Sequence, residues 1–223
     1  MASRLLNVRT AVFDLDGTLT DSADGICSTV ERALAERGIR APDRMVIRGM
    51  IGLPLRQMVA EHVPAVRASE VDALVARYRE IYDQDVIPNT FLFKRTWSLL
   101  RACRQRGLTL GLATTKATPI ALAVLGRCRV RGLFQCIAGG DLVARPKPNP
   151  DLLQLVLSDL GADPATTVMV GDTEHDVRMG VSAGVRTVGV TWGVHEEAQL
   201  RDAGATAITR TVSELRSALL GPG

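Results

Sequence analysis

Asp14 and Asp16 stand two residues apart at the end of the apolar run Ala11-Val12-Phe13, and Gly17-Thr18-Leu19-Thr20 follows at once. Two like charges at the end of a buried strand repel each other and lose hydration, so a cation or a strongly polar ligand has to compensate them. A cation site is the first hypothesis. Three further apolar runs end in polar groups: Thr114 and Thr115 precede Lys116, Lys147 lies in Arg145-Pro146-Lys147-Pro148, and Asp172 and Asp176 belong to Gly171-Asp172-Thr173-Glu174-His175-Asp176. Brought together at one sheet edge, these carboxylates, a hydroxyl and an ammonium make a phosphate site beside a divalent cation. Taken singly, each has a plainer reading. Thr114 reads as a strand-end hydroxyl satisfying a turn, Lys147 as a solvated loop lysine, and Asp172 as the cap of the helix starting near Thr173. The Asp14 and Asp16 pair is harder to read that way, because a structural role would leave two carboxylates close together at a buried strand end.

The elements that would position these groups follow from the periodicity. Continuous apolar runs predict strands over Arg9–Leu15, Leu108–Thr114, Cys136–Ala138, Thr167–Val170, Thr187–Thr191 and Ala205–Ile208. Helical patterns separate the later strands, one from Leu92 to Arg106 and one opened by Asn149-Pro150 and closed by Gly161. Alternating strands and helices imply a right-handed, mostly parallel α/β sheet with its site beyond the carboxyl ends of the strands. Between the first and second strands the pattern is all-helical, with Ile26, Val30 and Leu34 four apart, a second stretch around Val46 and Met50, a restart after Gly52-Leu53-Pro54, and a third helix from Ser69 to Asp85. We read residues 1–20 and 88–223 as a Rossmann-like core, and residues 21–87 as an inserted α-helical cap domain over the edge of that sheet.

Composition bounds the partners. A content of 46% hydrophobic residues supports a buried core, and a net charge of +3 among 51 charged residues gives no basis for nucleic-acid or membrane binding. Cys27, Cys103, Cys128 and Cys136 form no CxxC pair and read as reduced, buried thiols, and no segment has a signal-peptide core or a membrane-spanning length. We expect a soluble, cytoplasmic protein; the sequence does not decide its oligomeric state. His175 and His195 read as ordinary side chains rather than ligands, Trp192-Gly193 as packing and a turn, and Met45, Met50 and Met58 as cap-core packing.

The four motifs, in this order and over nearly the whole chain, resemble the haloacid dehalogenase superfamily in its phosphatase branch, most closely phosphoglycolate phosphatase-like members with a helical cap after the first motif. The resemblance implies that Asp14 is the nucleophile, forming an aspartyl phosphate, and that Asp16 protonates the leaving alcohol and then deprotonates the hydrolytic water. It implies a magnesium ion held by the Asp14 and Asp172 carboxylates and the Asp16 backbone carbonyl. Thr114 would hydrogen-bond a phosphoryl oxygen and Lys147 would neutralise its charge, while Asp176 would orient metal-bound water or Lys147. The expected activity is magnesium-dependent hydrolysis of a small phosphorylated metabolite, with 2-phosphoglycolate one candidate. A sugar-phosphate mutase of the β-phosphoglucomutase type, a pyrophosphatase, a 5′-nucleotidase and a non-catalytic sensor of a phosphorylated ligand are the alternatives.

The cap should recognise the leaving group, and its candidate residues are Arg48 and Arg56 in the glycine-containing stretch Arg48-Gly49-Met50-Ile51-Gly52-Leu53-Pro54-Leu55-Arg56. Solvated helix-face arginines are the plainer reading of both. The chain departs from the phosphoglycolate phosphatase pattern in having Thr114-Thr115-Lys116 for Thr-Asn-Lys, and Phe93-Lys94-Arg95 for an aromatic-Pro-Gly turn. Both departures bear on the substrate and leave the reaction class alone.

Overall fold

A computed structural model describes residues 7–221. Its strands are β1 (Thr10–Phe13), β2 (Thr20–Asp21), β3 (Phe91–Leu92), β4 (Thr109–Thr114), β5 (Cys136–Gly139), β6 (Thr167–Gly171), β7 (Arg186–Val190) and β8 (Ala207–Thr209). Six of them form one parallel sheet in the order β5-β4-β1-β6-β7-β8. Its register aligns Phe13 with Leu112 on one side and Val170 on the other. The helices are α1 (Ala23–Ala35), α2 (Arg44–Gly49), α3 (Leu55–His62), α4 (Val71–Ile81), α5 (Thr96–Gln105), α6 (Thr118–Arg127), α7 (Asp151–Leu160), α8 (Glu174–Ser182), α9 (Glu197–Asp202) and α10 (Val212–Leu220).

β1 is the central strand because every side chain on it is apolar or small and both its faces are covered. Ala11 and Phe13 pack with Leu99, Leu100, Val124 and Leu215 on one face, and Val12 packs with Leu152, Val156 and Met179 on the other. Pleating sends successive side chains to opposite faces, so an uninterrupted apolar run is what a doubly covered strand requires. Strand order reverses about β1, with β4 on one side and β6 on the other, which opens a crevice at their carboxyl ends.

α1 to α4 lie in sequence between β2 and β3, and these two strands pair antiparallel, Thr20 with Leu92 and Asp21 with Phe91. The apolar cluster of the Phe13 face runs on through Leu15 and Leu19 into Ile26, Ile47, Met58, Leu74 and Tyr82. The helices of this interval therefore share a core with the sheet.

Each expected strand is present with ends within two residues of expectation. Four readings need correction. The helix expected from Leu92 begins at Thr96, because Phe91 and Leu92 pair as β3, a strand too short to show a period. The helix expected to reach Asp85 ends at Ile81 and widens into a π-helical turn over Tyr82–Val86. Met50 and Met58 are buried as expected, but Met45 is 73% exposed, since the short α2 buries Ile47 instead. Cys27 and Cys103 are buried, whereas Cys128 and Cys136 are only half-buried.

Candidate active site

The ends of β1, β4 and β6 deliver Asp14, Thr114 and Asp172 side by side. Asp14 follows Phe13 directly, and its N–H still pairs with the Val170 carbonyl at 2.9 Å, so the strand ladder itself fixes this residue. Asp172 follows Gly171, and Asp176 sits in the first turn of α8, where its carboxylate accepts from the N–H and hydroxyl of the N-cap Thr173 at 3.1 and 2.7 Å. The loop after β5 brings in Lys147. Its Nζ donates to Asp14 Oδ1 at 2.7 Å and to Asp176 Oδ1 at 2.5 Å, and its side chain is 1% exposed. The plain reading of a solvated loop lysine does not hold.

Asp14, Asp172 and Asp176 are all buried, and a carboxylate oxygen from each lies within 4.8 Å of the others. If all three are ionised, one ammonium leaves two negative charges uncompensated, which is the charge of one divalent cation. All donors are hard oxygens, the ligand type magnesium prefers. The residues present therefore fit such an ion. Electrostatics agree with the count: burial, opposed by Lys147, raises the Asp14 carboxyl from 3.8 to about 7, with Asp176 adding to the rise. Burial and then the charges of Asp176 and Asp14 push Asp172 well above the usual carboxylate range. Burial opposes the charge on Lys147, but Asp14 and Asp176 outweigh it and hold the ammonium above its ordinary pKa.

Asp172 has supports that the motif spacing does not reveal. Thr18 Oγ1 donates to Oδ1 at 2.8 Å, the Val194 N–H donates to Oδ2 at 2.9 Å, and Trp192 Nε1 donates to the Thr18 carbonyl at 3.1 Å. The Trp192-Gly193 stretch, expected to be packing and a turn, thus also braces the acidic cluster. Gly17, at φ +80°, is required here twice over: its backbone is left-handed, and a Cβ would run into the Asp172 carboxylate. His195 Nδ1 accepts from the Glu174 N–H at 3.1 Å, which satisfies a free donor at the start of α8.

Asp16 turns away from the cluster. Its Oδ1 accepts from Ser22 Oγ at 2.6 Å, and its Oδ2 pairs with Lys116 Nζ at 3.0 Å. Lys116 lies 4.1 Å from the Tyr82 ring centroid. The two carboxylates of the first motif therefore face different surroundings. Thr114 is buried, and its hydroxyl accepts from the Lys116 N–H at 3.3 Å, the turn bond of the plainer reading.

A cavity of ≈ 210 Å³ opens between the α1, α3 and α4 helices and the loops after β4 and β5, and Asp16 lines it together with Thr115 and Lys116. Arg56 also lines it and pairs with Asp72. Arg48 does not line it; its guanidinium lies 4.0 Å from Asp24 on the exposed side of the helices. Arg79, which no motif marked, lines the cavity. It is an exposed residue of α4 next to the buried Tyr78, a position that local spacing does not mark. Among the described residues no helix is long and apolar enough to cross a membrane.

Comparison with known proteins gives the same architecture. A protein from Dickeya dadantii (strain 3937) named "Probable phosphatase IndB" is 39% identical over 207 residues, covering 92% of this chain and 90% of its own length. Phosphoglycolate phosphatase of Salmonella typhi is 33% identical over 217 residues, covering 86% and 84%. The solved structure of a haloacid dehalogenase-like family hydrolase from Streptococcus pneumoniae superposes with a TM-score of 0.83 at 27% identity, covering 95% of this chain and 98% of that one. The family model described as haloacid dehalogenase-like hydrolase matches residues 11–190, a span that runs from β1 to the end of β7 and takes in every residue of the acidic cluster. The chain belongs to the haloacid dehalogenase-like hydrolase family.

Proposed function

We propose that this hydrolase is a magnesium-dependent phosphatase that removes the phosphoryl group from a small phosphorylated metabolite through an aspartyl phosphate on Asp14. The observation that carries the reading is the buried set of three carboxylates around one ammonium, at the end of the central strand. No folding role calls for two uncompensated charges there. The names of two relatives point to phosphate esters, and one of them supplies 2-phosphoglycolate as a substrate to assay.

In this reading Lys147 holds Asp14 Oδ1 and leaves Oδ2 to attack phosphorus in line. The bond from phosphorus to the leaving oxygen breaks as the bond to Asp14 forms, and Asp16 gives its proton to the departing alkoxide. Asp16 then takes a proton from the water that attacks the aspartyl phosphate, which restores Asp14 and releases inorganic phosphate. Lys147 and the Thr114 hydroxyl stabilise charge on the phosphoryl oxygens, and Asp176 keeps Lys147 ionised and aimed. Asp14, Asp172 and the Asp16 backbone carbonyl would hold a magnesium ion, which when bound would supply positive charge between the anionic nucleophile and the anionic phosphoryl group.

The differing surroundings of the two aspartates support the division of labour, since Asp16 lines the cavity where a leaving alcohol would lie and Asp14 does not. We assign the helices of residues 21–87 the role of a cap that excludes water from that cavity. The test is phosphate release from a panel of phosphorylated metabolites with magnesium and with a chelator, in the parent and in Asp14→Asn. The expected result is chelator-sensitive release in the parent and none in the variant. Normal turnover by Asp14→Asn would overturn the mechanism.

A further inference from the structure

The cavity that Asp16 lines offers more apolar wall than a two-carbon leaving group can cover, beside the charged groups of Asp16, Arg56, Arg79, Lys116 and Asp141. Its walls include Ile51, Leu55, Met58 and Ile120, together with Tyr78 and Tyr82. The two tyrosine rings stack at 5.7 Å between centroids with an interplanar angle of 20°, and both residues are buried. At ≈ 210 Å³ the space exceeds the ~150 Å³ apolar cavity that accommodates a benzene molecule. A two-carbon hydroxy acid would fill a small part of it and leave most of the aliphatic and aromatic wall against water. Of the cations on the lining, Lys116 pairs with Asp16 and Arg56 with Asp72, while Arg79 stands on the exposed rim.

Resting on the phosphatase reading above, we propose that the preferred substrates are phosphate monoesters whose leaving alcohol carries a planar apolar ring, seated against the Tyr78–Tyr82 pair. The ring replaces water on aliphatic and aromatic surface, and an edge contact with the tyrosines adds to that burial. The oxygen that joins the ring-bearing alcohol to phosphorus then lies at the Asp16 end of the cavity, within reach of the proton it needs on departure. Ring recognition and proton delivery are in this way parts of one pocket.

The test compares 2-phenylethyl phosphate with ethyl phosphate, two alkyl esters with the same leaving-group chemistry, and with 2-phosphoglycolate, all with magnesium. The expected kcat/KM for 2-phenylethyl phosphate exceeds both others by at least ~10-fold, since a single well-placed methylene is worth 10–200-fold in an apolar pocket. Ala117→Leu adds bulk to the cavity wall, and Leu55→Trp does so from the α3 side; either should bring the 2-phenylethyl to ethyl ratio below ~3-fold. The ratio is read within one protein, so a partly unfolded preparation does not distort it. A parent that hydrolyses ethyl phosphate or 2-phosphoglycolate as well as the aromatic ester, or a ratio unmoved by either variant, overturns this inference and leaves the phosphatase reading standing. No phosphate release from any of the three esters overturns the phosphatase reading instead.

Discussion

Asp14→Asn should separate stability from function. The carboxyl of Asp14 is buried and raised from 3.8 to about 7, chiefly by burial, so its ionisation above neutral pH works against the metal-free fold. At ~1.36 kcal/mol per pH unit this distance corresponds to about 4 kcal/mol as a ceiling. Asparagine still offers an oxygen to Lys147 but gives up the ionic part of that contact, so the net gain is a fraction of the ceiling, about 1–3 kcal/mol. For a chain of this length that is roughly 2–10 °C in melting temperature. Because folding raises the Asp14 pKa, the folded chain holds this proton more tightly than the unfolded chain, and stability falls as pH rises. The penalty is absent below about pH 4 and fully present above about pH 7. Thermal unfolding in chelator should therefore show Asp14→Asn more stable than the parent near pH 8, with the gain shrinking toward pH 5. Magnesium should raise the parent's melting temperature, by the equivalent of about 2.7 kcal/mol at a hundredfold excess over its dissociation constant, and raise that of the variant much less. A variant less stable than the parent near pH 8 without metal, or a gain of equal size at both pH values, refutes the charge accounting of the cluster.

Lys147→Met removes the only ammonium among three buried carboxylates, so the chelated protein should lose about 3–5 kcal/mol in a urea titration, with phosphatase activity lost as well. A loss below about 1 kcal/mol would show that the lysine is not what makes the cluster tolerable. Gly17→Ala forces a side chain into left-handed backbone and into the Asp172 carboxylate, so titration with magnesium should show affinity reduced by at least ~10-fold. Asp16→Asn should slow turnover of alkyl phosphates by ~10²–10⁴-fold. The same variant should slow release of p-nitrophenol from its phosphate ester much less, because that anion departs without a proton; equal losses on both substrates would remove the acid role from Asp16.

The residues of the candidate site were legible in the sequence because their placement depends on short-range spacing. Asp14 and Asp16 are set by one strand end, and Asp172 and Asp176 by one strand end and the helical turn after it, so local geometry places each pair. The alternation of apolar runs with helical periods was enough for a parallel sheet, and with it for the edge where Asp14, Thr114, Lys147 and Asp172 meet. Other features are decided between segments far apart in the chain. The pairing of Thr20–Asp21 with Phe91–Leu92 involves strands too short to show a period. The bracing of Asp172 by Thr18, Trp192 and Val194 joins residues whose local signals read as turn and packing. The cavity is the clearest case. Arg48 and Arg56 lie in one glycine-containing stretch, yet only Arg56 lines it, while Arg79, Tyr78 and Tyr82 enter from another helix. Which face of a helix meets which loop is settled by the packing of the whole apolar cluster. Family membership was therefore readable along the chain, while the cavity that Asp16 lines exists only in the folded protein.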